Sequence, residues 1–120
     1  MALSDPQSIT IDGTAISLPL ISRESGKSSY RAADGSTIFE VWHTSSGSRK
    51  MDSERITVFY NVTDPITGLV KRESTTVTVL TNRPKVGRAA DADVKQTLGL
   101  LAFVSASSGA THLRVLQGES

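Results

Sequence analysis

Residues 55–80 read RITVFYNVTDPITGLVKRESTTVTVL, two alternating arms about one turn. Side chains on a strand point to opposite faces in succession. Ile56, Val58, Tyr60 and Val62 therefore share one side of the first arm, and Arg55, Thr57, Phe59 and Asn61 the other. The returning arm repeats the design, with Thr75, Val77 and Val79 set against Arg72, Ser74, Thr76 and Thr78. Between them DPITG, Asp64 to Gly68, supplies the residues a chain reversal needs. One face is a core face. The other is mostly hydroxyls, with arginines and one aromatic, whereas an ordinary solvated sheet face carries mixed charge.

Working outward, SITIDGTAISLPL (residues 8–20) alternates on both sides of Asp12-Gly13, the signature of a hairpin turn whose central residues need positive φ. In GKSSYRAADGSTIFEVWHTS (residues 26–45), Asp34-Gly35 separates a short strand near Ser28 to Ala33 from a longer one at Thr37 to Thr44, a second hairpin. SGSRKMDS (residues 46–53) reads as a polar loop leading into the long pair. Pro84 and Gly87 then end the sheet, and Asp91 or Asp93 is placed to accept from the first amides of a helix running from Asp93 to about Ala106. Val94, Leu98, Leu101 and Ser105 form its stripe, widened by Leu100, Phe103 and Val104. Gly99 costs this helix about 1 kcal/mol relative to Ala, so packing must hold it. SSGA (residues 107–110) is a break, and the tail from Thr111 is a short helix or a strand. The expected fold is α+β: an N-terminal β-hairpin and an antiparallel meander, followed by C-terminal helix.

The 120 residues suit one domain, 1–120, able to bury about two thirds of the surface of the unfolded chain. The chain holds no cysteine, so disulfides, zinc-thiolate sites and thiol nucleophiles are excluded. No stretch near Met1 has a signal-peptide pattern and none is long and apolar enough to span a membrane, so a soluble, cytosolic chain without membrane partners is expected. Net charge is +1 but unevenly spread: Ser46 to Ala90 holds eight Lys/Arg against four acids, an excess of +4 that leaves −3 elsewhere.

This inventory contains a mismatch. A meander has an apolar face to cover, and the chain offers little more than one helix to cover it. Open sheets also leave edge strands prone to pairing. An interlocked twofold homodimer solves both problems, with Val94, Leu98, Leu101, Phe103 and Val104 between the subunits. The plain alternative is a monomer whose helix packs on its own sheet.

Candidates for chemistry are few. His43 alternates with Phe39 and Val41 as a half-buried strand residue, and His112 lies in the tail, with no spacing that suggests a metal pair. Asp52, Glu54 and Asp64 sit at turns and strand ends, where Asp is ordinary. No glycine pattern cradles a phosphate, and no cofactor is expected. There remains the polar sheet face: Arg55, Thr57, Phe59 and Asn61 beside Arg72, Ser74, Thr76 and Thr78, joined by Glu40, Trp42 and Thr44 of the preceding strand. Such a face suits RNA. Arginine meets phosphate, hydroxyls and Asn meet base edges and 2′-OH groups, and Trp42 or Phe59 offers a surface for an unpaired base. For Trp42 the bland alternative is core packing, and for the threonines it is strand propensity.

The order of elements, and above all TTVTVLTNRPKVGRAADADVKQTLGLLAFV (residues 75–104), resembles the coat proteins of levivirus-type single-stranded RNA bacteriophages over essentially the whole chain. The resemblance implies a non-enzymatic subunit that dimerises through its helices, joins sheets across the dimer and builds an icosahedral shell around RNA. It further implies that the inner face binds a hairpin at the replicase gene start and represses its translation. The RNA face would comprise Glu40, Trp42, Thr44, Arg55, Thr57, Asn61, Arg72, Ser74, Thr76 and Thr78. Two departures stand out: DPITG is shorter than the pore-lining loop of the best-known members, and the tail after Gly109 leaves room for only a turn or two of second helix. Behind this reading stand a sheet-based RNA-binding regulator that does not assemble, and a compact hydrolase using turn carboxylates.

Overall fold

The computed structural model describes Leu3 and residues 5–119. Met1 and Ala2, where the sequence shows no signal-peptide pattern, lie outside the described residues. The chain divides into two compact units, Met1–Arg83 and Pro84–Ser120.

The first unit is all β. A separate hairpin pairs β1 (Gln7–Ile11) with β2 (Thr14–Leu18), closed by Asp12 and Gly13 at φ of 51° and 74°, as the Asp-Gly signal requires. The main sheet is an antiparallel meander of β3 (Leu20–Glu24), β4 (Lys27–Arg31), β5 (Thr37–Ser46), β6 (Arg49–Thr63) and β7 (Val70–Pro84), in that spatial order. Among the described residues Leu18 of the hairpin, Tyr30 of β4 and Ala32 just beyond it are the buried apolar core, with Ile9, Ile16, Leu20, Phe39 and Ile56 packed around them. The small hairpin thus covers only one region of the sheet.

One sequence expectation for this unit needs correction, and two further details of the sheet were not read from the sequence. LISRE is a strand, β3, although it shows no apolar alternation. Leu20 and Ile21 are adjacent, and a register shift between Leu20 and Ser22 interrupts the period of two. Residues 46–53 are not a loop: β5 and β6 run on until Ser46 faces Arg49 across a two-residue turn, with Gly47 at φ 56°. Glycine at the first central position is what such a turn demands, and the polar composition of the strand ends disguised it. Finally, the Asp34-Gly35 reversal is wider than two residues, since Ala32 N–H donates to the Thr37 carbonyl oxygen and Gly35 N–H to that of Ala32.

The second unit is α1 (Ala90–Leu116). It starts earlier than Asp93, and neither Asp91 nor Asp93 caps it: Ala89 precedes it in an extended conformation without a side-chain cap bond. Both aspartates lie instead in the first turn, where negative charge complements the helix dipole, and they pair with Lys95 (3.0 Å) and Arg88 (3.3 Å) respectively. The SSGA break is present, with Ala106 extended and Ser107, Ser108 and Gly109 at φ of 54°, 59° and 82°. Helical backbone then resumes to Leu116, so the tail is a short helix rather than a strand. No residue of α1 is buried. No helix among the described residues is long and apolar enough to cross a membrane.

Candidate nucleic-acid interface

Residues opposite one another in an antiparallel pair share a face, so the β5–β6 register decides which side chains stand together. Glu40 lies opposite Arg55, Trp42 opposite Ser53, Thr44 opposite Met51 and Ile38 opposite Thr57. On β7, Thr76 joins the same side through a 3.2 Å hydrogen bond between its hydroxyl and that of Thr57, and Arg72 joins it over the ring of Phe59. Alternation then adds Asn61, Ser74 and Thr78. The structure therefore brings all ten residues singled out for RNA onto one face, and Asn61, Thr44, Arg72, Ser74, Thr76 and Thr78 are exposed on it.

The arginines do not dangle from this face. Arg55 donates from Nε and a terminal nitrogen to Oε1 of Glu40, at 3.1 and 2.7 Å, and its guanidinium carbon lies 4.8 Å from the centre of the Trp42 ring. Arg72 sits at the same 4.8 Å over Phe59 but donates to a neutral partner, the Gly35 carbonyl oxygen, at 3.2 Å. Neither aromatic ring is bare, as the sequence reading of a base-stacking Trp42 or Phe59 assumed; each carries a guanidinium. Trp42 is half-buried, between the core and stacking readings.

The face extends beyond the ten. Lys27 pairs with Trp42 and Arg31 with Ile38, which places two more exposed cations on this side of β4. At the other end Arg49 donates to the side-chain and backbone oxygens of Asn82, at 3.0 and 3.2 Å. Counting by twos from Arg55 reaches Arg49, a signal hidden once residues 46–53 were read as loop.

The opposite face carries His43, more exposed than a half-buried strand residue, with its ring nitrogen 2.6 Å from Asp52. Farther along, Tyr60, Val62 and Val77 lie on the apolar side, yet each is more than 40% exposed. In the helical unit the expected intersubunit residues behave alike: Val94, Leu98, Leu101 and Phe103 are 53%, 58%, 43% and 66% exposed, and Val104 is half-buried. The apolar area anticipated for a dimer is thus uncovered in the single chain.

No protein-family model and no curated protein matches the sequence. Solved structures do match by shape. A small hairpin, a five-stranded antiparallel meander and a broken terminal helix make an α+β fold. More particularly, the chain has the fold seen in levi-like phage shells. A virus-like particle of bacteriophage AVE019 superposes with TM-score 0.77 at 13% identity, over 89% of this chain and 90% of that one. One of Beihai levi-like virus 21 gives 0.68 at 15% identity, over 99% and 97%. The coat protein of bacteriophage EMS014 gives 0.64 at 14%, over 82% and 72%.

Proposed function

We propose that this chain is the capsid protein of a single-stranded RNA phage: a structural, non-catalytic subunit that dimerises, assembles into an icosahedral shell in the host cytoplasm and contacts packaged RNA through the polar sheet face. Residues 1–120 act in this reading as one coat-protein domain. The observation that carries it is a coincidence of two independent features. The fold is that of proteins solved as virus-like particles, and one face of its sheet gathers arginines, hydroxyls and Asn in the combination RNA recognition uses. Repression of replicase translation through an RNA hairpin belongs to the same proposal, as a second use of that face.

The uncovered surfaces support the dimer. Exposed apolar patches of this extent mark interaction sites, and both the helix face and the far part of the sheet present them. A second copy supplies matching surfaces by symmetry. Electron microscopy of the purified chain tests the assignment: closed particles of uniform diameter that protect RNA from nuclease are expected. A chain that binds RNA but stays dimeric under assembly conditions would instead be a sheet-based regulator.

A further inference from the structure

We propose that the two arginines of the sheet face have different tasks: Arg55, held over Trp42 by Glu40, is a platform for an unpaired base carrying an exocyclic amino group, while Arg72 is the phosphate contact. This rests on the RNA-binding reading above.

Arg55 is poorly suited to phosphate. Its charge is offset by a carboxylate 2.7 Å away, two of its five donors are spent on that carboxylate, and Glu40 itself repels a phosphate brought near. What remains is a surface. The indole covers one side of the guanidinium, and the arginine side chain keeps 36% of its exposure. A guanidinium so placed takes a stacked nucleobase. Glu40 then provides selectivity. Both bonds from Arg55 go to Oε1, so neither occupies the lone pairs of Oε2, and the Glu40 side chain keeps 18% of its exposure. A carboxylate only accepts, so it favours a base with an amino N–H there, such as cytosine, and opposes the carbonyl that uracil presents at the same position.

Arg72 differs in each respect. It donates to a backbone carbonyl oxygen, its charge is felt at Asp34 but among the described residues it forms no ion pair like that of Arg55 with Glu40, and it is exposed. With no carboxylate hydrogen-bonded to it, its positive charge is less offset than that of Arg55, and its remaining donors are available to phosphate oxygens. Two residues of one type, each over an aromatic ring at the same distance, are thus set apart by what their other side touches.

Filter binding of the 120-residue chain to oligo(C) and oligo(U) of equal length, across a salt series, tests this division. These two pyrimidines differ at the position Glu40 would read. Wild type is expected to prefer oligo(C) by roughly tenfold, the scale of one hydrogen bond to a charged group. Glu40→Gln, nearly isosteric and able to donate to uracil, should bring that ratio close to one. Arg72→Ala should flatten the slope of log affinity against log salt by about 0.7 while keeping the preference. Arg55→Ala should lose the preference and leave the slope unchanged. The proposal is overturned if wild type does not distinguish the two, if Glu40→Gln retains the preference, or if Arg55→Ala flattens the slope as Arg72→Ala does. Those results leave RNA binding by this face standing. If no variant changes affinity for either oligomer, the RNA-binding reading falls and the proposal with it. Glu40→Gln decides the matter even if Arg55→Ala fails to fold.

Discussion

Nδ1 of His43 lies 2.6 Å from Oδ1 of Asp52, at a position where the two residues face each other across β5 and β6. Arg83 reaches the other carboxylate oxygen from β7 at 3.4 Å, so one side chain ties three strands. Burial alone would raise the pKa of Asp52. The His43 bond, the charge of Lys50 and the Arg83 bond more than offset it and hold the group below the ordinary carboxylate value. An ionised carboxylate only accepts, so the imidazole nitrogen facing it carries the hydrogen.

The pH dependence follows with a definite sign. A carboxyl depressed in the folded state stabilises the fold fully above its ordinary value near about 4, and the contribution fades as pH falls from there through the lowered value. Asp52→Asn keeps the shape and removes the charge. At pH 7 its melting temperature should fall by a few degrees, the equivalent of about 1 kcal/mol for a partly exposed charged hydrogen bond in a chain of this size. The difference from wild type should narrow as pH drops below about 4. An equal deficit at pH 3 and pH 7, read by thermal denaturation, would mean that the carboxylate charge contributes nothing.

Where local chemistry and strand period agreed, the sequence was readable. Asp12-Gly13 forced a turn, and alternation from Arg55 to Asn61 and from Arg72 to Thr78 was enough to assemble the polar face. Reading failed where period or composition was interrupted. The register shift near Leu20 hid β3, and serines and glycine at residues 45–48 made two strand ends look like a loop. The covering of Trp42 and Phe59 by arginines was beyond the sequence for another reason. It depends on cross-strand neighbours, Arg55 opposite Glu40 and Arg72 reaching Gly35, which only the register reveals.

The helix makes a prediction about assembly rather than folding. Leu101 is 43% exposed in the single chain, so Leu101→Asp buries no charge until a partner arrives. In the proposed dimer a second copy would cover it, and an unpaired carboxylate there would cost several kcal/mol. Circular dichroism of the variant should stay close to wild type, while sedimentation should show loss of dimers and particles. A variant that still forms wild-type particles would show that this face stays open in the assembly.

The β6–β7 turn makes a complementary one. Asp64 organises it by accepting from the Ile66 and Thr67 amides, at 2.8 and 3.4 Å, and Asp64 N–H closes it onto the Leu69 carbonyl oxygen at 2.8 Å. At its tip Ile66 is 91% exposed and Leu69 71%, so nothing in the single chain depends on these side chains. Doubling the loop with Gly and Ser after Thr67 should cost only about 0.6 kcal/mol in closure entropy. Thermal stability should therefore hold while particle diameter or uniformity changes in electron micrographs. Unaltered particles with a much lower melting temperature would place the turn in the fold instead of at a contact between subunits.

The hydroxyls of Thr57 and Thr76 provide the last test, because they bond to each other at 3.2 Å instead of standing independently. Thr→Val at either position keeps strand propensity and shape, and both are far enough from the core that stability should move by less than about 0.5 kcal/mol. Removing one hydroxyl releases the other to turn toward solvent or RNA, so the two single variants should not add up. Measured against a panel of RNA hairpins, each single variant should narrow the spread of affinities while leaving the salt slope intact, since hydroxyls read base edges and carry no charge to phosphate. The double variant should narrow it by less than the product of the two single effects, the mark of coupled neighbours. Strictly additive losses would mean that each threonine touches RNA on its own, with their mutual bond broken in the complex. An unchanged spread in all three variants would remove the pair from the recognition surface and leave them as strand formers.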